Sequence, residues 1–389
     1  MPQTLAIVFH LFVTFLFLGP AHAQDFSFSE DVTAGGYIKE LGALSADNSF
    51  DDFRYDNIIH HRLETRVEFS SSLNMRVDYR TRLLNGYSVR HTPNLGDYYD
   101  EDSGFMDLSF VFAETDEALW HGSIDRLQAT WYHKAFEVTA GRQRLNWGRT
   151  FVWSPNDLFN NFAYLNFDYE ERPGTDAIRA VYDWSFASGA EIAYSPQDSW
   201  DESVLAGKIR TTIGSYDTQF IIGHYKNDLA LGAGWSGYLG DAGLKGEITY
   251  FHPEEDFGGE TGVTTATLGL DYMFSNGLYL RGEMLYNGGW KKSLAPAQSL
   301  QQPPSARDLF IAETGAFLDV SYQLHPLVNG SLSFLTSPTR EIWVAMPQVT
   351  YSATERIDLL VLAQLLKGDV LENSNPTPNL FYTRIAYNF

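Results

Sequence analysis

The chain has no cysteine, few basic residues and, after its N-terminal segment, no long hydrophobic run. Without cysteine it forms neither disulfide bonds nor thiolate metal sites. Its 27 Lys and Arg stand against 49 Asp and Glu, and a net charge of −22 argues against nucleic-acid binding, which requires a basic surface. After Gln24 no stretch is long and apolar enough for a membrane helix. These absences disfavour a disulfide scaffold, a nucleic-acid-binding protein and a helical membrane protein.

Catalytic motifs are also missing. The sequence contains no H-E-x-x-H, no G-x-S-x-G and no phosphate-binding loop, and its 10 His are scattered. His60 and His61 are adjacent, so on a strand only one of the two can face the interior. We therefore predict that the protein is not an enzyme and binds no cofactor or metal, although convergence of distant residues stays open as an alternative.

The N-terminal segment is the one strongly apolar run, from Leu5 to Leu18. Gly19-Pro20 and the A-x-A sequence Ala21-His22-Ala23 follow it. This order is typical of a secretory signal peptide cleaved after Ala23. A retained anchor helix would need about 18 or more apolar residues, so export is the better interpretation. We predict a signal peptide over 1–23 and a single domain over 24–389.

From Ser27 onward, segments of alternating apolar and polar residues are separated by turns, which indicates β-strands. Short turns are predicted at Gly214-Ser215, Asn227-Asp228, Gly240-Asp241 and Ser275-Asn276-Gly277. No helical period is sustained past the N-terminal segment. The candidate strands are 31–41, 58–69, 75–84, 105–114, 123–133, 136–146, 176–184, 190–195, 203–213, 216–226, 229–239, 242–252, 263–274, 278–287, 312–323, 327–336, 341–352, 356–367 and 380–389.

The number of strands is set by parity. An exported chain without membrane helices can still span a membrane as a closed β-barrel, and single-chain bacterial barrels have an even number of strands. Strands can be counted forward from the N-terminus or back from the C-terminus, and each count assigns the long loops to one end of the barrel. The two counts agree only if one candidate strand between 85 and 175 is not a wall strand. We therefore remove 105–114. The prediction is an all-β, transmembrane, antiparallel up-and-down barrel of about 18 strands, with 16 or 20 as alternatives.

A charged face marks the hairpin formed by Ile59–Phe69 and Met75–Leu83. Pairing Phe69 with Met75 would place Glu68 opposite Arg76 and Arg66 opposite Asp78, and opposite charges favour that register. Burying so much charge in a small core would be too costly, whereas a barrel of 16 to 18 strands encloses water. The predicted pore-lining residues of this face are Arg62, Glu64, Arg66, Glu68, Arg76, Asp78, Arg80 and Arg82.

The last strand ends at the C-terminal Phe389 and carries Phe381, Ile385 and Tyr387 on the same face. It resembles the closing strand of Gram-negative outer-membrane β-barrels. The resemblance implies a location in the bacterial outer membrane and recognition of this strand by the barrel assembly machinery.

A long loop over 146–175 breaks the series of hairpins. Together with the flanking strands it contains Gly141-Arg142-Gln143, Trp147-Gly148, Pro155-Asn156-Asp157 and Asp176-Ala177-Ile178-Arg179. This pattern resembles porin-like barrels, among them phosphate-selective-porin-like proteins. The resemblance implies a loop that folds inward and narrows the pore. Its candidate constriction residues are Asn156, Asp157, Asp168, Glu170, Glu171 and Arg172.

The sequence therefore predicts a channel for passive diffusion of small hydrophilic solutes. Its expected partners are outer-membrane lipid and lipopolysaccharide, with a homo-oligomer as a further expectation. The acidic loop clusters are interpreted as solvated charge, with divalent-ion bridges to lipopolysaccharide or a Ca²⁺ site as alternatives. The alternative function is a non-conducting barrel that binds surface polysaccharide or another envelope partner.

Overall fold

The computed structural model describes residues 26–29, 31–47, 50–161, 174–255, 257–290, 305–368 and 379–389. The predicted signal peptide lies outside the described residues. Among the residues that are described, no helix is long and apolar enough to cross a membrane.

Nearly all the regular structure is β-strand, as the period of two predicts. Two short helices, α1 (Tyr87–His91) and α2 (Leu95–Asp100), and a 3₁₀ turn at Trp200–Glu202 lie between strands. The strands are β1 (Phe26–Ser29), β2 (Val32–Ala46), β3 (Phe53–Ser70), β4 (Leu73–Gly86), β5 (Ser109–Glu114), β6 (Ala118–His133), β7 (Phe136–Gln143), β8 (Thr175–Asp183), β9 (Gly189–Ser195), β10 (Val204–Ile213), β11 (Tyr216–Tyr225), β12 (Asp228–Leu239), β13 (Ala242–Pro253), β14 (Val263–Met273), β15 (Tyr279–Asn287), β16 (Thr314–His325), β17 (Val328–Ser337), β18 (Ile342–Ser352), β19 (Ile357–Lys367) and β20 (Asn379–Asn388).

The sheet is closed into a ring. Neighbouring wall strands pair antiparallel, and β2 pairs with β20 from Tyr37–Asn388 to Ala46–Asn379, so the first and last wall strands seal the barrel. The wall has 18 strands, β2–β4 and β6–β20, which confirms the predicted fold. Short strand β1 only extends a hairpin on β2.

Strand β5 is the candidate strand that we exclude from the barrel wall. It overlaps the candidate strand 105–114, but it pairs only with the first part of β6, from Ser109–Ser123 to Glu114–Leu119. The rest of β6 pairs with β7 on that side, from Leu127–Arg142 to His133–Phe136. Strand β5 therefore continues the sheet beyond the end of the shorter β7 and is not a spanning strand, as predicted.

The two ends of the barrel differ. At the turn end, which also holds the N-terminus of β2 and the C-terminus of β20, connections are short, for example Gly214-Ser215 and Gly240-Asp241. Both glycines have a positive φ, of 63° and 64°, as two-residue hairpin turns require. At the loop end the Asn227-Asp228 prediction is wrong by one residue, because the turn is Lys226-Asn227 and Lys226 adopts φ 56°. All the long connections are at the loop end.

Alternation along each strand separates an apolar outer face from a polar inner face. In β13, Glu247 and Thr249 are both 0% exposed, whereas Ile248 and Tyr250 between them are 42% and 37% exposed. Closing the ring pairs the backbone between strands, which is what hydrocarbon surroundings demand. A closed antiparallel barrel with this apolar exterior is an outer-membrane architecture.

The predicted register of the β3–β4 hairpin is wrong. Met75 pairs with Val67 rather than Phe69, which places Arg66 opposite Arg76 and Glu64 opposite Asp78. Glu64, Arg76 and Asp78 still form ion pairs, with diagonal partners or along the same strand. Arg66 is exposed to solvent, which screens its charge. The tight turn after a bulge between Glu68 and Ser70 fixes this register, and cross-strand pairing alone does not predict it.

Candidate functional site: an anchored loop and an arginine wall inside the barrel

Residues 145–161, here called the anchored segment, follow β7 and pack against the inner wall from β8 to β19. Two wall carboxylates hold its backbone. The side chain of Glu283 on β15 accepts hydrogen bonds from three successive N–H groups, those of Phe151 (2.5 Å), Val152 (3.2 Å) and Trp153 (2.8 Å). Three backbone donors on one carboxylate form a nest, which suits a buried negative charge.

The second carboxylate, Glu247 on β13, accepts hydrogen bonds from the N–H groups of Arg149, of Thr150 at 3.0 Å and of Asn156 at 2.9 Å. Next to it, the Thr249 hydroxyl donates to the carbonyl of Pro155 at 2.9 Å and to Oδ1 of Asn156 at 2.8 Å. These bonds fix both ends of a short backbone turn. The two carboxylates therefore hold the segment through its backbone.

Glycines on the wall make room for the segment. A side chain at Gly232 or Gly234 of β12 would meet the amide of Asn156, and one at Gly315 of β16 would meet the ring of Trp153. Because these three positions carry no side chain, the backbone of the segment can approach the wall closely. In the sequence these glycines look like ordinary strand positions, and their role becomes visible only when the loop is in place.

Apolar packing completes the contact. Val152 and Trp153 are buried with Phe317, Leu335 and other inward apolar residues of β15–β19. Leu145, Trp147 and Leu158 form a second cluster with wall residues of β8–β13. The inner wall on this side is thus unusually apolar for a water-filled barrel, because the loop covers it.

The predicted constriction residues divide into two groups. Asn156 and Asp157 are both 0% exposed, and Asn156 binds the wall rather than projecting away from it. Asp168, Glu170, Glu171 and Arg172 lie outside the described residues. Within the anchored segment, burial lowers the pKa of the Arg149 guanidinium, although the negative charges of Asp217 and Glu247 raise it.

The arginine wall is the inner face of β3, β4 and β6, defined by Arg62, Arg76, Arg80 and Arg82 with Asp78 and Asp125. Arg62 contacts three carboxylates, those of Glu64 (2.8 Å), Asp78 (2.8 Å) and Asp125 (2.5 Å). Asp125 sits at a bulge in β6, and Arg126 after it is also buried. The bulge adds a residue to the strand, so that an acid not seen in the period-two pattern joins the wall.

Towards the loop end the wall becomes more basic. Arg80 pairs with Asp125 at 3.1 Å, and Arg82 lies 3.2 Å from Nδ1 of His121 and 4.7 Å from the centre of the Tyr99 ring. The other two predicted pore-lining residues, Arg66 and Glu68, are exposed and lie near the turn end. The predicted inner face is therefore one continuous surface, although only its central part is a tight ion-pair network.

Ser109 and His121 form a Ser–His pair, with 2.8 Å between Oγ and Nε2. Arg82 can only donate, so Nδ1 of His121 must accept its hydrogen bond and Nε2 carries the proton. A protonated Nε2 cannot take a proton from the serine. The pair connects β5 to β6 and lacks the tautomer of a hydrolase dyad.

The motif residue Arg142 joins the barrel to a long loop. It bonds Asp176 at 2.8 Å and Asp102 at 2.6 Å. Although burial raises it, the pKa of Asp102 ends below its ordinary value because Arg142 and the N–H groups of Leu108 and Gly104 donate to the carboxylate. Sequence spacing pointed to Arg142 and Asp176 but gave no sign of Asp102, and this cluster braces loop and wall.

Sequence reasoning also missed the two anchoring glutamates. Each follows a glycine, in Gly246-Glu247 and Gly282-Glu283, and each is a carboxylate at an inward position in the middle of a strand. That pattern was the available signal. It does not identify the partner, because the partner is backbone that is distant in sequence.

Replacing Arg62 with methionine should destabilise the barrel strongly, by about 3–5 kcal/mol, because Asp78 and Asp125 would lose a shared buried cation. Arg66→Met, on the same face but exposed, is the matched control and should change little. The measurement is urea unfolding of the refolded protein in detergent. Equal midpoints for the two variants would contradict the assigned role of Arg62.

No protein-family model and no curated protein matches this chain. Among solved structures, OpdK from Pseudomonas aeruginosa is similar with a TM-score of 0.57 and 10% identity, over 93% of this chain and 100% of that one. OccAB2 from Acinetobacter baumannii gives a TM-score of 0.58 and 8% identity, over 92% and 98%. OpdK with vanillate gives 0.57 and 9%, over 92% and 98%. At these identities the likeness shows the barrel fold.

Proposed function

We propose that this chain is an outer-membrane channel through which small hydrophilic solutes diffuse passively. The observation that carries the proposal is the division of the barrel interior. One side holds a loop by two buried carboxylates, and the other side presents a row of arginines. A barrel of 18 strands without such a loop would enclose a wide aqueous channel. The loop therefore sets the size of the pore.

The arginines give the channel its preference for anions over cations. Arg76, Arg80 and Arg82 line the same face, and Coulomb attraction in a narrow aqueous path favours anions over cations. Acidic loop residues, including the predicted Asp168, Glu170 and Glu171, would face this wall and orient polar solutes across the opening. Because OpdK has been solved with vanillate, an anion of that size is a sensible first solute.

Planar-bilayer recording on the refolded mature chain tests the proposal. We expect stable single-channel conductance with anion selectivity, and a change in conductance when residues 150–170 are deleted. Vanillate should reduce the ion current while it occupies the opening. A silent bilayer, together with a heat-modifiable and correctly folded barrel, would reject the channel.

The second candidate function is a closed barrel that binds surface polysaccharide or an envelope partner. The long connections at one end, such as 87–117, favour it, because they give the barrel a large exposed surface. It predicts negligible conductance and loss of polysaccharide attachment when the exposed loops are deleted.

The similar solved structures are porin channels, which gives coarse support to a function other than catalysis.

Two further parts of the proposal concern biogenesis. Residues 1–23 would direct export and be removed, and β20 with its terminal Phe389 would be the strand that the assembly machinery recognises. N-terminal sequencing of the protein from outer membranes tests the first. Deletion of Phe389 tests the second, and the expected result is accumulation of unassembled chain in the periplasm.

A further inference from the structure

Arg149 lies in the anchored segment, and both its backbone and its side chain are fixed. Its N–H group donates to Glu247 of β13, and its guanidinium Nε donates to Oε1 of Gln219 on β11 at 2.9 Å. Gln219 is itself buried, and its Nε2 donates to the carbonyl of Trp147 at 2.7 Å. The wall therefore holds one edge of the guanidinium, and its orientation is set before a solute arrives.

The far end of the same guanidinium is open. Its two terminal nitrogens make no hydrogen bond with any residue that the structure describes, and neither nitrogen is buried. The side chain as a whole is half-buried. Because the anchored segment lies against the inner wall, these nitrogens are open to the solvent of the barrel interior. Two parallel N–H groups at the end of an arginine match the two oxygens of a carboxylate.

No carboxylate neutralises this arginine directly. Within the described part of the chain Arg149 forms no ion pair, whereas the two inward cations of the neighbouring strand β10 each have a partner. Lys208 pairs with Glu191 at 3.1 Å. Arg210, which lies directly opposite the strand position of the wall glutamine, pairs with Asp183. Arg149 is therefore the surplus positive charge of this part of the interior.

The surroundings of Arg149 favour the binding of an anion. Burial lowers the pKa of its guanidinium, and the positive charge of Arg210 acts in the same direction. Glu247 and Asp217 raise that pKa. However, the oxygens of Glu247 already accept hydrogen bonds from three backbone N–H groups, and Asp217 accepts one from the Thr212 hydroxyl at 2.9 Å. A cation that is partly desolvated and lies close to another cation is stabilised when a negative group binds to it.

We propose that the far end of Arg149 binds the carboxylate group of a solute inside the channel, so that small carboxylates are held more tightly than chloride or uncharged molecules. The inference rests on the proposed channel function and deepens it, because it names the residue that recognises the solute. The arginine wall attracts every anion through its summed charge. Arg149 instead offers two directed donors, which distinguish a planar carboxylate from a spherical ion.

Benzoate is a suitable probe, and benzamide, which has a similar size and no charge, is its control. In a planar bilayer we expect benzoate to block the chloride current in a saturable way and benzamide to leave it unchanged. Arg149→Gln should weaken the block about tenfold or more, because charge-assisted hydrogen bonds are lost. Arg149→Lys keeps the charge but not the paired donors, so its block should be intermediate.

Arg281→Gln is the matched control variant. Arg281 is also an inward arginine beside the anchored segment, 5.8 Å from the centre of the Phe151 ring, but it pairs with Asp319 at 3.0 Å. Benzoate should block this variant as strongly as it blocks the natural protein. Equal block of the natural protein and Arg149→Gln, or an equal loss of block in both glutamine variants, would overturn the inference. Heat-modifiable migration would establish that the variants are folded.

A measurement without ion current separates this inference from the channel function. Ligand-observed NMR on the barrel in detergent micelles should detect benzoate binding to the natural protein and to Arg281→Gln, but not to Arg149→Gln. A conducting barrel that binds benzoate equally well without Arg149 would overturn the inference and leave the channel function intact. A barrel that binds benzoate through Arg149 but passes no current would reject the channel function and keep the binding site.

Discussion

Replacing both Glu247 and Glu283 with alanine should raise single-channel conductance several-fold. Together these carboxylates accept hydrogen bonds from six backbone N–H groups of the anchored segment, those of Arg149 to Trp153 and of Asn156. A hydrogen bond to a charged group contributes about 1.5–3 kcal/mol. The six bonds therefore add substantially to the stabilisation that the loop gains from its apolar contacts with the wall. Without them the six donors need water, and the segment leaves the wall.

The recording should also show larger current noise, because a released loop samples several positions. Glu137→Gln is the matched control. Glu137 is also an inward carboxylate, but it pairs with Arg179 at 2.7 Å and not with the loop. It removes a negative charge without touching the anchor. If the control and the double variant change conductance equally, charge loss and not loop release explains the effect.

The second large effect is expected from the arginine wall. Exchanging Arg80 and Arg82 for glutamine should move the reversal potential in a salt gradient from anion preference towards cation preference. These arginines lie where the wall carries more cations than carboxylates, since Arg62 is already matched by Glu64, Asp78 and Asp125. Removing two charges there leaves the acidic groups of the wall dominant.

Arg66→Gln is the comparison for this experiment, because Arg66 belongs to the same face but is exposed near the turn end. Its charge is screened by solvent, so its effect on selectivity should be much smaller. An unchanged reversal potential in the double variant would show that solutes do not pass along the arginine wall. Circular dichroism and heat-modifiable migration would establish that both variants are folded.

The period of two and the positions of the long loops could be read from local sequence, because each strand needs only its own alternation to have two different faces. The hairpin register could not. Opposite charges predicted Glu68 across from Arg76, whereas the structure satisfies Arg62 through Asp125 on a third strand. Pairwise rules fail here because they consider two strands, and the ion pairs involve three.

The anchored segment shows the same limit. The resemblance to porin-like barrels implies an inward loop with Asn156 at the opening, but Asn156 instead lies against Thr249. The residues that hold it are in strands about 90 to 130 positions later. No local pattern couples a loop to carboxylates that distant.

By itself, the sequence determined the strand pattern, the apolar exterior and the charged hairpin, because alternation and composition act over a few residues. Only the tertiary structure decided which carboxylates meet which donors. Closing the barrel brings β13 and β15 to the loop after β7, and β6 to the arginines of β3. Those distances depend on the curvature of the whole ring, which no short segment specifies.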